Sequence, residues 1–298
     1  MDMLTLSHVA RRFGEKQVLK DVSFCVPENT VFGFVGQNGA GKTTAMKLIL
    51  GLLACDRGEI TVNGMPVRYG STEVNHFIGY LPDVPEFYSY MTPEEYLTFC
   101  GEISGMTRKE RNLRSTELLE LVGLAGEKRR IKGFSRGMKQ RLGIAQALLN
   151  RPRLLICDEP TSALDPAGRK ELLDILTAAK EQTTVLFSTH ILSDVEHICD
   201  RLAFLHDGHI VLQGSLAEVR KIRRDTAVKL AMEKPEDGKT LLAAFPFLKP
   251  EGGNCFLLEE PDKLPDILRM IADRRLSLLR MERLEPTLED LFLEVVGK

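Results

Sequence analysis

The sequence has almost no net charge. Forty Lys and Arg stand against 42 Asp and Glu, a balance of −2 over 298 residues. No chain-wide field therefore draws it to a polyanion such as DNA. It has no paired cysteines. Cys25, Cys55, Cys100, Cys157, Cys199 and Cys255 never form a C-x-x-C, and several sit inside apolar runs. That argues against a zinc module or a disulfide frame and for buried free thiols in a reducing compartment. No apolar run approaches the roughly 18 residues of a spanning helix. The opening stretch, MDMLTLSHVARRFGEKQ, lacks the apolar centre of a secretion signal. A soluble protein is expected, and work at a membrane would need a partner that spans it. Low-complexity tracts and internal repeats are missing too. What is present is enough apolar content, 43%, to fill one large core or two smaller ones.

The first third reads as short strands: MLTLSHVA, VLKDVSFCV and TVFGFVG. An apolar helix, KTTAMKLILGLL, follows, and GEITVNG reads as a strand pair with a turn. From about residue 88 to 152 apolar residues recur at three- and four-residue spacing, as a helical subdomain does. Thr92, followed by Pro93, Glu94 and Glu95, is a helix start. Strands return in RLLICDE, TTVLFSTH and RLAFLHDGHIVLQG, with helices between them. That alternation implies an α/β fold with a mostly parallel sheet covered by helices. At KIRRD the character shifts. Residues 225–298 read as a small accessory α+β domain, after a main domain over residues 1–224.

GFVGQNGAGKTT holds G-x-x-x-x-G-K-[ST], between a strand and a helix. The glycines Gly36, Gly39 and Gly41 let the backbone wrap closely. Successive N–H groups, through Asn38, Ala40 and Thr44, then point at phosphate oxygens. The helix N-terminus adds positive potential. Lys42 would reach the β- and γ-phosphates of ATP, and the Thr43 hydroxyl would ligate Mg²⁺. A Gly-rich turn before an ordinary helix is the alternative, and the strand–helix context disfavours it. LLICDEP is an apolar strand ending in two acids. Behind a phosphate cradle, Asp158 would hold the Mg²⁺ shell and Glu159 would polarise the attacking water. STH places His190 at the end of the next parallel strand, on the edge where open α/β sheets bind ligands. That makes it a candidate γ-phosphate contact, against the structural role a lone histidine more often has.

SRGMKQR, 135–141, gathers three cations ahead of an apolar helix. The stretch alone fits a basic patch, a solvated helix face or a catalytic element. With GQNGAGKTT, LLICDEP, SALD and STH, in this order, it resembles the ATP-binding cassette ATPases over residues 1–220. The resemblance implies the P-loop NTPase fold: a mixed-sheet core with an antiparallel β subdomain and a helical subdomain. It also implies that SRGMKQR is the signature motif of a head-to-tail homodimer. Ser135 and Gly137 would face the γ-phosphate of ATP bound to the other copy. Phe13 resembles the aromatic that stacks on adenine, with a core phenylalanine as the alternative. Residues 162–165, SALD, resemble the loop that crosses the dimer interface.

Three positions depart from the family pattern. Arg136 replaces the first glycine of the signature, and Met138 replaces its glutamine. Where the family offers a glutamine to the metal and water, GYLPDVPEFY offers Asp83, a candidate approach to Mg²⁺. The same stretch is where the family docks its membrane partner, and Phe87, Tyr88 and Tyr90 are expected to be exposed there, with packing of the helical subdomain as the alternative. The resemblance points to the ATPase subunit of an exporter. Such a subunit works with a separately encoded transmembrane permease, at the cytoplasmic face of the membrane and without nucleic acid. The alternative is a soluble cassette ATPase acting on ribosomes or DNA. The single cassette and the short helical insert, free of paired cysteines, disfavour it. A small-molecule kinase would leave SRGMKQR and SALD unexplained.

Overall fold

Strand β3 (Val31–Val35) is buried along its whole length, because it lies inside a sheet covered on both faces. The computed structural model describes residues 1–221, 227–284 and 287–296, with backbone only over 293–296. The chain divides into two compact units, Met1–Leu216 and Ala217–Lys298. The break expected at KIRRD falls mostly on residues 222–226, outside the described set.

In chain order the first unit runs β1 (Asp2–Phe13), β2 (Lys16–Pro27), β3, α1 (Lys42–Ile49), β4 (Arg57–Val62), β5 (Met65–Pro66) and β6 (Ile78–Leu81). Three helices follow: α2 (Pro93–Ile103), α3 (Arg108–Leu121) and α4 (Arg136–Leu148). It continues through β7 (Leu154–Asp158), α5 (Pro166–Ala179), β8 (Thr184–Thr189), α6 (Leu192–Ile198), β9 (Arg201–His206) and β10 (His209–Ser215). The sheet order is β5-β4-β1-β2-β10-β9-β3-β8-β7-β6. From β9 to β6 neighbouring strands are parallel. From β5 to β2 they are antiparallel. This is the P-loop NTPase fold with its added antiparallel section. Helix α2 begins at Thr92, whose side chain accepts from Glu95 N while Glu95 returns a bond to Thr92 N, a capping box that fixes the start.

Phe32 and Phe34 of β3 point to one face and stack on Phe24 of β2, with ring centroids 5.5 and 5.1 Å away. Phe34 is fully buried. These rings anchor the strand that carries the phosphate loop. Two expectations need correcting. Only Cys157 and Cys199 are buried, while Cys25 and Cys55 are exposed and all six thiols are free. Cys25 points outward because strand parity sends Phe24 and Val26 inward. Phe87 is half-buried, edge-on to Tyr96 at 5.1 Å; Tyr88 and Tyr90 remain exposed.

The second unit begins after the join, which falls within α7 (Leu216–Arg220). It runs β11 (Val228–Met232), α8 (Pro235–Ala244), β12 (Lys249–Pro250), β13 (Cys255–Leu258), α9 (Leu264–Asp273), β14 (Leu278–Arg283) and α10 (Leu288–Val296). Its antiparallel sheet has the order β12-β13-β11-β14, the split β-α-β arrangement. Alternate residues Val228, Leu230 and Met232 face a core shared with Leu241 and Ile267. Phe34→Ala should destabilise the first unit by about 3–5 kcal/mol, through lost burial and a residual cavity. Chemical denaturation reads the loss, and an unchanged midpoint would show that the ring is not the anchor.

Candidate nucleotide-binding site

The turn from β3 into α1 makes the cradle. A Cβ on Gly36 would stand 2.6 Å from the Leu205 carbonyl oxygen, so only glycine lets the chain pass there. Gly41 sits at φ 111°, just ahead of α1, a conformation open to glycine alone. No side chain caps the N-terminus of α1, which leaves its first N–H groups for an anion. Lys42 is 5% exposed. Its Nζ donates to the carbonyls of Gly36 (2.5 Å) and Gln37 (3.1 Å) and lies 2.9 Å from Glu159 Oε1.

The opposite wall comes from the ends of β7 and β8, which pair in register as Asp158 with Ser188. Glu159 follows at φ 49°, a left-handed conformation worth about 1–3 kcal/mol of strain. Its N–H is held by Ser188, through Oγ at 3.0 Å and the carbonyl at 3.2 Å. The Ser188 hydroxyl donates to Asp158 Oδ1 at 2.6 Å. Glu159 Oε2 lies 2.8 Å from His190 Nδ1. One carboxylate thus spans a lysine and a histidine. Burial, then the charge of Asp158, pushes the Cys157 thiol up, so it stays protonated. Burial first, then the charge of Asp158, takes the Tyr80 phenol up to about 12.

A cavity of about 490 Å³ collects the expected residues Phe13, Asn38, Gly39, Gly41, Lys42, Thr43, Thr44, Asp83, Glu159 and His190. Ser162, the first residue of SALD, also lines it, as does Val18, which the sequence did not single out. Gly36 enters only through the carbonyl that binds Lys42, and Ala40 is not in the wall. Asp158, 2% exposed, lies outside the lining. Phe13 is 43% exposed, with the Arg11 guanidinium 4.8 Å from its ring centroid. Asp83 directs Oδ1 to Arg136 Nη2 at 3.1 Å.

Ser135 and Gly137 are elsewhere. They line a separate groove of about 460 Å³ with Arg136, Met138, Arg141 and residues 163–165. The Ser135 hydroxyl caps α4 by accepting from Met138 N at 3.2 Å. Arg141 is packed rather than solvated, with Nη1 near the Val122 carbonyl (3.3 Å) and Glu171 (3.6 Å).

Among the described residues no three His, Cys, Asp or Glu cluster as a protein-only metal cage. The donors present suit Mg²⁺ instead. They are a hard carboxylate, Asp158, and a hydroxyl, Thr43, in a cleft where phosphate oxygens and water would complete the shell.

The family model for the ABC transporter matches residues 19–162. Over 300 residues the chain is 38% identical to the ABC transporter ATP-binding protein YxlF of Bacillus subtilis, covering 99% of each. It is 31% identical over 308 residues to the linearmycin resistance ATP-binding protein LnrL of the same organism, again 99% of each. A solved ATP-binding subunit of an ABC transporter superposes with TM-score 0.65 at 34% identity, over 74% of this chain and 92% of that one.

Sequence reading missed Ser188, although STH contains the residue before His190 by two. Ser188→Ala should destabilise the first unit by about 1.5–3 kcal/mol, the value of a hydrogen bond to a charged group. Chemical denaturation reads this, and wild-type stability would overturn the bridge between Asp158 and Glu159.

Proposed function

This chain belongs to the ABC transporter family as an ATP-binding subunit, and on that premise we propose that two copies bury ATP between them and drive a separate membrane-spanning subunit in export. The observation that carries the reading is the division of the site within one chain. Cradle and Glu159 share one cavity, while Ser135 and Gly137 line another groove. One copy supplies each half, and two copies in head-to-tail arrangement complete both.

In this reading the ATP phosphates take the N–H groups from Gly39 to Thr44, and Lys42 exchanges Glu159 for phosphate oxygens. Phe13 stacks on adenine, with Arg11 behind the ring. Thr43 and Asp158 would hold Mg²⁺, with Asp83 on the cavity wall, and the ion would supply positive charge for the phosphoryl oxygens. Glu159, released from Lys42, accepts a proton from the attacking water. His190 keeps the Glu159 carboxylate aimed and faces the γ-phosphate. Ser135 and Gly137 of the second copy close the other side with the dipole of α4. Residues 162–165 link the halves, since Ser162 lines the cavity and the next three line the groove.

Among the described residues no helix is long and apolar enough to span a bilayer. What supports a membrane partner is an exposed aromatic surface. Tyr88 and Tyr90, exposed at 50% and 59%, lie against each other, and Tyr88 stands beside Phe99 and Tyr96, as a surface for a short helix of a transmembrane subunit. The name of LnrL, a resistance protein, favours export, with the ATPase on the cytoplasmic face.

Glu159→Gln should still bind ATP, hydrolyse it about 100-fold or more slowly, and sediment as a dimer with ATP and Mg²⁺. A variant that stays monomeric at high concentration would sink the paired-copy reading. Tyr88→Ala with Tyr90→Ala should leave basal hydrolysis intact and uncouple it from the membrane subunit. Undiminished co-purification and transport would rule out docking there.

A further inference from the structure

Two of the three positions that depart from the family pattern touch each other. Arg136 Nη2 lies 3.1 Å from Asp83 Oδ1, with the side chains 42% and 47% exposed. Asp83 lines the nucleotide cavity and Arg136 lines the signature groove. The pair therefore has one member in each half of the divided site. Arg136 is also the first residue of α4, and the first turn of α4 holds no acidic residue. A guanidinium stacked on a helix N-terminus concentrates positive charge, which the dipole disfavours until an anion is supplied. Asp83 supplies it within the chain.

We propose that Arg136 exchanges Asp83 for the terminal phosphate of the nucleotide carried by a second copy, so that the ion pair is broken as the two copies close. The proposal rests on the paired-copy reading. An exposed pair of this kind is weak and easily displaced. A phosphate carries more charge than a carboxylate and offers the guanidinium fork a bidentate partner. The exchange does not require the loop to leave. The Asp83 carbonyl stays fixed by Gln140 Nε2 at 2.6 Å, from a side chain that is fully buried. Only the carboxylate lets go. Arg136 then stands beside Ser135 and Gly137 as a third phosphate contact supplied in trans, in a position where the family pattern has a glycine.

The test separates exchange from a purely structural pair, because the two partners must act in opposite directions. Dimerisation is measured by sedimentation in the Glu159→Gln background, at saturating ATP with Mg²⁺. Adding Asp83→Asn frees Arg136 and should tighten the dimer about tenfold. Adding Arg136→Gln should weaken it about tenfold, and Arg136→Lys should restore part of that loss. With Arg136→Gln present, Asp83→Asn should give no gain. If both single changes move the dimer the same way, or neither moves it, while Glu159→Gln still dimerises, the exchange is overturned and the paired-copy reading stands. If the Asp83→Asn gain persists without Arg136, the effect is electrostatic relief in the cavity and the exchange is overturned as well. If Glu159→Gln alone stays monomeric, both fall together.

Discussion

A buried ammonium must have an anion, and in this chain the anion is Glu159. Lys42 is nearly sealed from water, and two backbone carbonyls satisfy its protons without cancelling its charge. The Glu159 carboxylate 2.9 Å away cancels it. Removing one member of such a pair typically costs about 3–5 kcal/mol, because the other is left charged and dry. The rest of the site is arranged around that demand. The register of β7 and β8 sets Asp158 against Ser188, and the Ser188 hydroxyl holds both the Asp158 carboxylate and the Glu159 N–H. The strained backbone of Glu159 is tolerated because these bonds over-determine it. The aromatic stack under β3 fixes the cradle from the other side.

The divided site has the same logic at larger scale. Each half carries groups that are incomplete alone: N–H groups of α1 with no side-chain cap, and a positive helix start at Ser135 and Arg136. Two features join the halves within a chain. Residues 162–165 run from cavity to groove, and the Asp83–Arg136 pair crosses between them. Both joins are partly exposed, so they are easily rearranged. Under the proposed function, that suits a pair of copies that opens after every cycle.

How much was legible depended on whether the chemistry was local. The cradle could be read because its glycines, lysine and threonine are adjacent in sequence and sit between a strand and a helix. The helix starting at Thr92 could be read because a capping box spans only four residues. In the second unit, alternation in AVKLAM and CFLL marks the strands β11 and β13, while the two-residue strand β12 is too short to leave a pattern. Long-range contacts were not legible. Asp83 and Arg136 are 53 positions apart, and Ser188 reaches Asp158 across 30. No spacing rule joins either pair. Phe87 misled because its burial depends on Tyr96, on a helix whose placement the sequence does not specify. Cys25 was readable in principle, since parity between Phe24 and Val26 turns it outward. The apolar run around it hid that alternation.

The Lys42–Glu159 pair also orders events. In the empty chain both carboxylate oxygens of Glu159 are engaged, Oε1 by Lys42 at 2.9 Å and Oε2 by His190 at 2.8 Å. Under the proposed function, phosphate oxygens draw Lys42 away, and the pull on Glu159 falls when the substrate is in place. His190, 2.8 Å from the other carboxylate oxygen, keeps the group aimed through the exchange. Under the same reading Oε1 is held by the ammonium in the empty chain and is free for water in the loaded one, and an enzyme that couples hydrolysis to closure needs that order.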